Sequence, residues 1–121
     1  MAGGKTEAIF SGYGATNTYE YRRVVTRGYA ETAITVKVVS VETDTQGLTY
    51  IVRGHPFTEG PVEGSIPSIS YTLQTGTNIQ SGQSHYLLIG DTHDSVSVGV
   101  KNQVTDKSGV ITVIVGGKRR T

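Results

Sequence analysis

The last third of the chain constrains the fold most, because it contains two valine-rich segments that favour β-strands. In the first, Val96, Val98 and Val100 alternate with serine, glycine and lysine, the pattern of a strand with one buried and one solvent-exposed face. The second, residues 110–115, is almost entirely β-branched and predicts a strand that is apolar on both faces and therefore central or covered. We interpret the two segments as the arms of a hairpin, with Gly116 and Gly117 ending the second arm.

The rest of the chain repeats this pattern at short intervals. Alternating or apolar segments at residues 19–25, 32–41, 48–53, 68–74 and 84–89 each predict a strand, and no apolar stripe with helical spacing persists over three turns. The polar residues 42–47 indicate a hairpin that pairs the strands at 32–41 and 48–53. The sequence therefore predicts an all-β, antiparallel β-sandwich or jelly roll of about seven to eight strands. Its predicted core includes Ile34, Val36, Val38, Val98, Ile111 and Val113.

Two segments fall outside the predicted strands. Residues 1–15 are rich in glycine and favour a flexible N-terminal arm, followed by a β-sandwich domain over residues 16–121. Residues 54–67 hold all three prolines and predict a long loop. The candidate assembly contacts lie in these two segments: Ile9, Phe10, Tyr13, His55, Pro56 and Phe57.

Composition limits the classes of partner. A length of 121 residues predicts one domain, and the absence of cysteine excludes disulfides and zinc–thiolate sites within it. The formal net charge is +1, which provides no general field for nucleic acid or an anionic membrane. No stretch of the chain approaches the apolar length of a membrane span. We therefore predict neither a nucleic-acid partner nor a membrane partner.

Candidate chemical sites are few. His85, Asp91, His93 and Asp94 lie near one another in sequence, but their spacing matches no zinc or calcium motif and is typical of a polar loop. No nucleophile elbow or desolvated carboxylate pair is visible. We therefore predict no metal, no cofactor and no enzymatic activity. Tyrosines such as Tyr86 could stack on sugars, although half-buried sheet packing is their more usual role.

Three segments carry a resemblance to a known group of proteins. They read YIVRGHP, HYLLIGD and VSVGVKNQVTDKSGVITVIVGGKRR, the last ending in the basic tail Lys118, Arg119 and Arg120. Together they resemble the small β-sandwich structural proteins of tailed bacteriophages.

The resemblance implies a virion protein assembled in the host cytoplasm. Its role would be capsid decoration (cement) or that of a head or tail accessory subunit, a homo-oligomer whose partners are its own copies and a major capsid or tail protein. A hydrophobic content of only 36% suits a subunit that buries surface against its neighbours. Two alternatives remain open: a carbohydrate-binding or adhesive module, and a subunit of an extracellular filament built by strand exchange.

Overall fold

The computed structural model describes residues 4–26, 29–42, 48–56, 71–90, 93–102 and 109–119. Within these ranges the chain forms strands and connections and no helix, which confirms the all-β prediction. The eight strands are β1 Gly4–Gly14, β2 Glu20–Val25, β3 Tyr29–Val41, β4 Leu48–Pro56, β5 Tyr71–Ile79, β6 Ser84–Ile89, β7 His93–Asn102 and β8 Gly109–Arg119.

The strands form two four-stranded antiparallel sheets that face each other. Sheet A has the order β1-β8-β3-β6 and sheet B the order β2-β7-β4-β5. The chain changes sheet at every connection except the one between β4 and β5. This order is that of an eight-stranded jelly roll, one of the two architectures that the sequence predicts.

The core lies between the two sheets and is built by the alternation of side chains along each strand. β7 contributes Val96, Val98 and Val100 from sheet B, and β8 contributes alternate residues from sheet A. All six predicted core residues are at most 1% exposed, so that prediction is confirmed. The buried cluster is formed by Phe10, Val24, Ile34, Val36, Val38, Leu48, Tyr50, Val52, Ile79, Ile89, Val96, Val98, Val100, Ile111, Val113 and Val115.

Both predicted hairpins are wrong. β7 and β8 lie in different sheets, as do β3 and β4, so neither pair shares a ladder. Instead β8 pairs with β1 and β3, and β4 pairs with β5 and β7. A connection that crosses between sheets needs the same polar residues as a hairpin turn, so loop composition does not distinguish the two. The prediction that the residues 110–115 form a central strand is confirmed, because β8 lies between β1 and β3.

The predicted N-terminal arm is an edge strand of the sandwich in this structure. Residues 4–14 form β1, which pairs antiparallel with β8. Phe10 is completely buried in the common core, and the guanidinium of Arg22 lies 4.3 Å from the centre of its ring. The connection to β2 is also held, because the amide of Ala15 donates to the carbonyl of Gly109 at 2.9 Å. The flexible arm predicted at 1–15, ahead of a domain at 16–121, is therefore corrected over residues 4–14, which form a strand of the sandwich.

Two predicted strand ends are wrong for the same reason. β8 continues through Gly116 and Gly117 to Arg119, and the ring of Tyr29 lies so close to Gly117 that a Cβ there would come within 2.7 Å of it. β5 likewise continues through Gly76 to Ile79, with the ring of Tyr50 occupying the space of the missing side chain. At Gly117 and Gly76 the strand continues because a neighbouring aromatic ring fills the gap. Residues 54–56 of the predicted loop belong to β4, which extends to Pro56, and residues 57–67 lie outside the described residues.

The alternation along β8 predicts opposite outcomes for adjacent substitutions. Val113 is fully buried, whereas Ile114 is 39% exposed on the other face of the strand. Val113→Asp should lower the free energy of unfolding by about 4 kcal/mol or more, because it buries an unpaired carboxylate. Ile114→Asp, the matched control, should change it by less than about 1 kcal/mol. Equal losses in urea denaturation of the two variants would contradict the assignment of faces.

A second prediction tests whether β1 belongs to the folded domain. Phe10→Ala leaves a cavity beneath Arg22 and should destabilise the protein by about 3–5 kcal/mol. Ser11→Ala changes the next, exposed residue of β1 and should be nearly neutral. Thermal unfolding followed by circular dichroism compares the two. A Phe10→Ala protein as stable as the Ser11→Ala protein would mean that β1 does not pack on its own domain in solution.

Candidate functional site: the outer face of sheet A

The outer face of sheet A carries several large apolar side chains that stay exposed. Tyr86 and Leu88 on β6 are 61% and 52% exposed, and Ile114 on β8 is 39% exposed. Their neighbours Leu87, Ile89, Val113 and Val115 point into the core, so the alternation of the strands directs these three outward. Tyr86, Leu88 and Ile114 lie in segments where apolar residues follow one another without alternating polar residues. In the sequence, this pattern indicates that the outward face of the strand is apolar as well as the inward face.

Strand register arranges these residues in two rows across the sheet. Leu88, Ala33, Gly116 and Thr6 are successive partners on β6, β3, β8 and β1, and form the first row. Tyr86, Thr35, Ile114 and Ala8 are partners in the same order and form the second row. We call these eight residues the outer band. None of them is charged, so contact with another surface would desolvate no ion within the band.

The two rows differ in size, and the difference creates a shallow hollow of about 310 Å³. Ala33 and Gly116 supply little side-chain volume at the centre of the first row, while the second row carries Tyr86 and Ile114. Among the described side chains of this face, charges lie at the flanks: Glu31 and Lys118 are partners beside the first row, and Lys37 follows the second row along β3. The hollow is lined by Glu31, Ala33, Tyr86, Leu88, Gly116, Gly117 and Lys118.

The outer face of sheet B is closed by the chain's own side chains. Ser95 and Ser97 on β7 are completely buried, although their alternation with valine predicts a solvent-exposed face. The Nε of Arg23 donates to the Ser95 hydroxyl at 2.9 Å, and the Nε2 of His55 lies 2.8 Å from the Ser97 hydroxyl. The prediction that one face of β7 is exposed to solvent is therefore wrong, because long side chains on β2 and β4 lie over the small residues of β7.

Aromatic rings extend this closed face toward the start of β2. The ring of Tyr21 covers Gly99, where a Cβ would fall 2.5 Å from it, and the ring of Tyr19 lies 5.5 Å from that of Tyr21. Partial burial raises the pKa of the Tyr19 phenol above its ordinary value; Tyr21 adds to the shift and Arg53 opposes it. The Nζ of Lys101 lies 5.2 Å from the centre of the Tyr19 ring. The Tyr21 ring and Lys101 thus cover the part of this face that lies next to Gly99.

Three of the predicted assembly contacts lie together around Arg22, but inside the domain. The Nη1 of Arg22 donates to the carbonyl of Ile9 at 2.7 Å, and the ring of Tyr13 lies 5.1 Å from that of Phe10. Ile9 and Tyr13 are half-buried, while Phe10 is fully buried. Phe10 therefore presents no side-chain surface to a partner in this structure, which corrects its prediction as an assembly contact.

The other three predicted contacts belong to sheet B or lie outside the described residues. His55 is 1% exposed and bonded to Ser97, so it packs within its own sheet and does not face a partner. Pro56 is the last residue of β4. Phe57 lies outside the described residues. Of the six residues, the structure places Ile9, Phe10 and Tyr13 on sheet A and His55 and Pro56 on sheet B, and none of these five belongs to the outer band.

The His and Asp residues weighed as metal ligands are only partly described. The Nδ1 of His85 lies 3.0 Å from the hydroxyl of Tyr50, Asp91 lies outside the described residues, and of His93 and Asp94 only the backbone is described. Among the residues with described positions, no three His, Cys, Asp or Glu side chains are grouped to hold a metal ion. The absence of a metal, a cofactor and catalysis stays a prediction.

No helix in the described part of the chain is long and apolar enough to cross a membrane.

Together the fold and the outer band define a jelly-roll β-sandwich with one outer face closed by its own side chains and one apolar face open. No protein-family model matches the chain, and no curated protein matches it. Among solved structures it is similar to a protein of Bacillus endospore appendages, described as a novel family of disulfide-linked pili. The two share 12% identity over 100% of this chain and 92% of that one, with a TM-score of 0.50. At this identity the likeness establishes the fold alone.

A second similar structure is the Yersinia pseudotuberculosis-derived mitogen. It shares 10% identity over 99% of this chain and 86% of that one, with a TM-score of 0.45.

The closed face of sheet B generates a prediction about stability. Ser97→Ala removes the hydroxyl that His55 contacts at 2.8 Å in a fully buried site, and should cost about 1–3 kcal/mol of unfolding free energy. Ser84→Ala, on an exposed position of β6, should cost less than about 0.5 kcal/mol. Chemical denaturation at neutral pH measures both. If Ser97→Ala is as stable as Ser84→Ala, the His55 contact does not contribute to the closed face.

Proposed function

We propose that this chain is a structural subunit that assembles with copies of itself, and that the assembly is a filament. The observation that carries the proposal is the outer band, an uncharged surface that crosses all four strands of sheet A. Its side chains Tyr86 and Leu88 are more than half exposed. Contiguous apolar surfaces of this kind typically mark interaction sites in soluble proteins.

The contrast between the two outer faces supports a partner for sheet A. On sheet B the polar groups of β7 are bonded to side chains of β2 and β4. On sheet A the central small residues Ala33 and Gly116 have no such cover among the described side chains, and they border an open hollow. Burial of the outer band by another molecule would gain hydrophobic free energy without desolvating a charge.

The similarity to the Bacillus appendage protein supports a filament in preference to the virion role that the sequence resemblance implies. That protein has a similar fold and is described as forming pili. The present 121 residues contain no cysteine, so disulfides between them cannot link the subunits. Their association would therefore depend on noncovalent contacts, repeated along the assembly so that each can be weak. Capsid decoration remains the second form of the same self-assembling role.

A carbohydrate-binding or adhesive function is the second candidate. The observation that favours it is the exposed ring of Tyr86 beside a hollow that is flanked by Glu31 and Lys118. An aromatic ring can stack on the apolar face of a sugar while charged groups bond its hydroxyls. A glycan array with the purified protein tests this function directly and does not depend on self-assembly.

The assembly proposal predicts a specific loss of self-association. Tyr86→Ser combined with Leu88→Ser should abolish filaments or larger oligomers seen by negative-stain electron microscopy of the concentrated wild-type protein. The melting temperature should change little, because both side chains are largely exposed. Tyr19→Ser is the matched control: Tyr19 is also an exposed tyrosine, but it lies beside sheet B and should leave assembly unchanged.

Three results would contradict the proposal or the surface on which it rests. Dispersed monomers of wild-type protein at all accessible concentrations would remove the basis for a self-assembling subunit. Assemblies that persist in the double variant but disappear in Tyr19→Ser would transfer the association surface to sheet B. Glycan binding by wild type that is lost in Tyr86→Ser, without any assembly, would favour the adhesive function instead.

A further inference from the structure

We propose that the partner seated on the outer band is a second copy of this chain. The two sheets A would stack face to face about a two-fold axis that runs across the strands, between the two rows of the band. This inference rests on the proposed self-assembly and specifies one of its interfaces. A two-fold contact is isologous, so the same surface must be complementary to itself. The strand register of sheet A determines which residues of the outer band would face each other in such a contact.

Side-chain size distinguishes the two ways of stacking the sheets. An axis across the strands places the second row of one copy over the first row of the other. Ile114 then faces the hollow above Gly116, and Thr35 faces Ala33. An axis along the strands instead places each row over itself, so that Ala33 faces Gly116 and two hollows of about 310 Å³ meet. Protein interfaces pack as densely as interiors, which favours the axis across the strands.

Charge at the flanks agrees with the same axis. Glu31 and Lys37 are both exposed on β3, and they lie on opposite sides of the outer band. Reversing the strand direction brings Lys37 of one copy opposite Glu31 of the other, twice per pair because of the symmetry. Such complementary pairs at the rim of an apolar patch fix orientation more than they add affinity. Glu31 and Lys37 on β3 therefore favour the orientation in which the strands of the two copies run in opposite directions.

The size of the band indicates a weak contact. Four strands and the rows from Glu31 to Lys37 give a footprint on the order of 400 Å² per copy from strand spacing and rise. A stable complex of standard size buries about 800 Å² per partner. The isolated pair should therefore form only in concentrated solution, and a lasting assembly would need this contact in combination with others.

A charge exchange between the two flanking residues tests the interface. Sedimentation of the full chain is measured up to millimolar concentration for wild type, Lys37→Glu, Glu31→Lys and the double variant, with melting temperatures as the check on folding. Each single variant places like charges opposite each other and should weaken dimerisation by about tenfold or more. The double variant restores opposite charges across the axis and should recover affinity to within about threefold of wild type.

The outcomes separate this interface from the proposed function. Weakening in both single variants without recovery in the double variant overturns the axis across the strands. Association that is unchanged in all three variants overturns the face as the interface, while the proposal of self-assembly stands. A wild-type protein that stays monomeric at millimolar concentration, and forms no filaments, overturns both.

Discussion

The buried phenol of Tyr50 is the constraint on which the sandwich depends, because a polar group in a core must find partners there. Its ring is completely buried between the sheets. The hydroxyl accepts a hydrogen bond from the Nε2 of Gln74 at 2.7 Å and lies 3.0 Å from the Nδ1 of His85. Gln74 lies on β5 and His85 on β6, the edge strands of the two sheets. One side chain on β4 thus joins both sheets and limits how β5 and β6 can be placed.

Close packing of rings against glycine extends this constraint through the fold. Tyr50 covers Gly76, Tyr21 covers Gly99 and Tyr29 covers Gly117. In each case a larger residue would clash with the ring, so glycine is required for close approach and does not end the strand. Each of these pairs fixes a position across neighbouring strands, and register in a sheet determines which side chains face the core.

The sequence predicts the strands well and their arrangement poorly, for physical reasons. Alternation is a local property, so the core positions from Ile34 to Val38 and from Val96 to Val100 follow directly from it. Sheet membership is not local: the chain crosses between sheets after β3 and after β7 through polar segments that resemble hairpin loops. The sequence does not predict β1 because its glycines favour flexibility. Phe10 fixes β1 by packing in the core and against Arg22, and these contacts join residues that are far apart in the sequence.

The site is predicted even less well, because exposure depends on what neighbouring strands carry. Ser95 and Ser97 have the polar alternation of a wet face, yet they are buried because Arg23 and His55 reach over them. Ala33 and Gly116 are no larger than these two serines, but their row partners on the edge strands are Leu88 and Thr6. The hollow above Ala33 and Gly116 therefore stays open. Small residues at the centre of a sheet thus produce a closed face where long polar neighbours can bond across them, and an open apolar face where they cannot. Because of this difference, we infer that a single copy of the chain covers the outer face of sheet B with its own side chains, and that another molecule covers the outer face of sheet A.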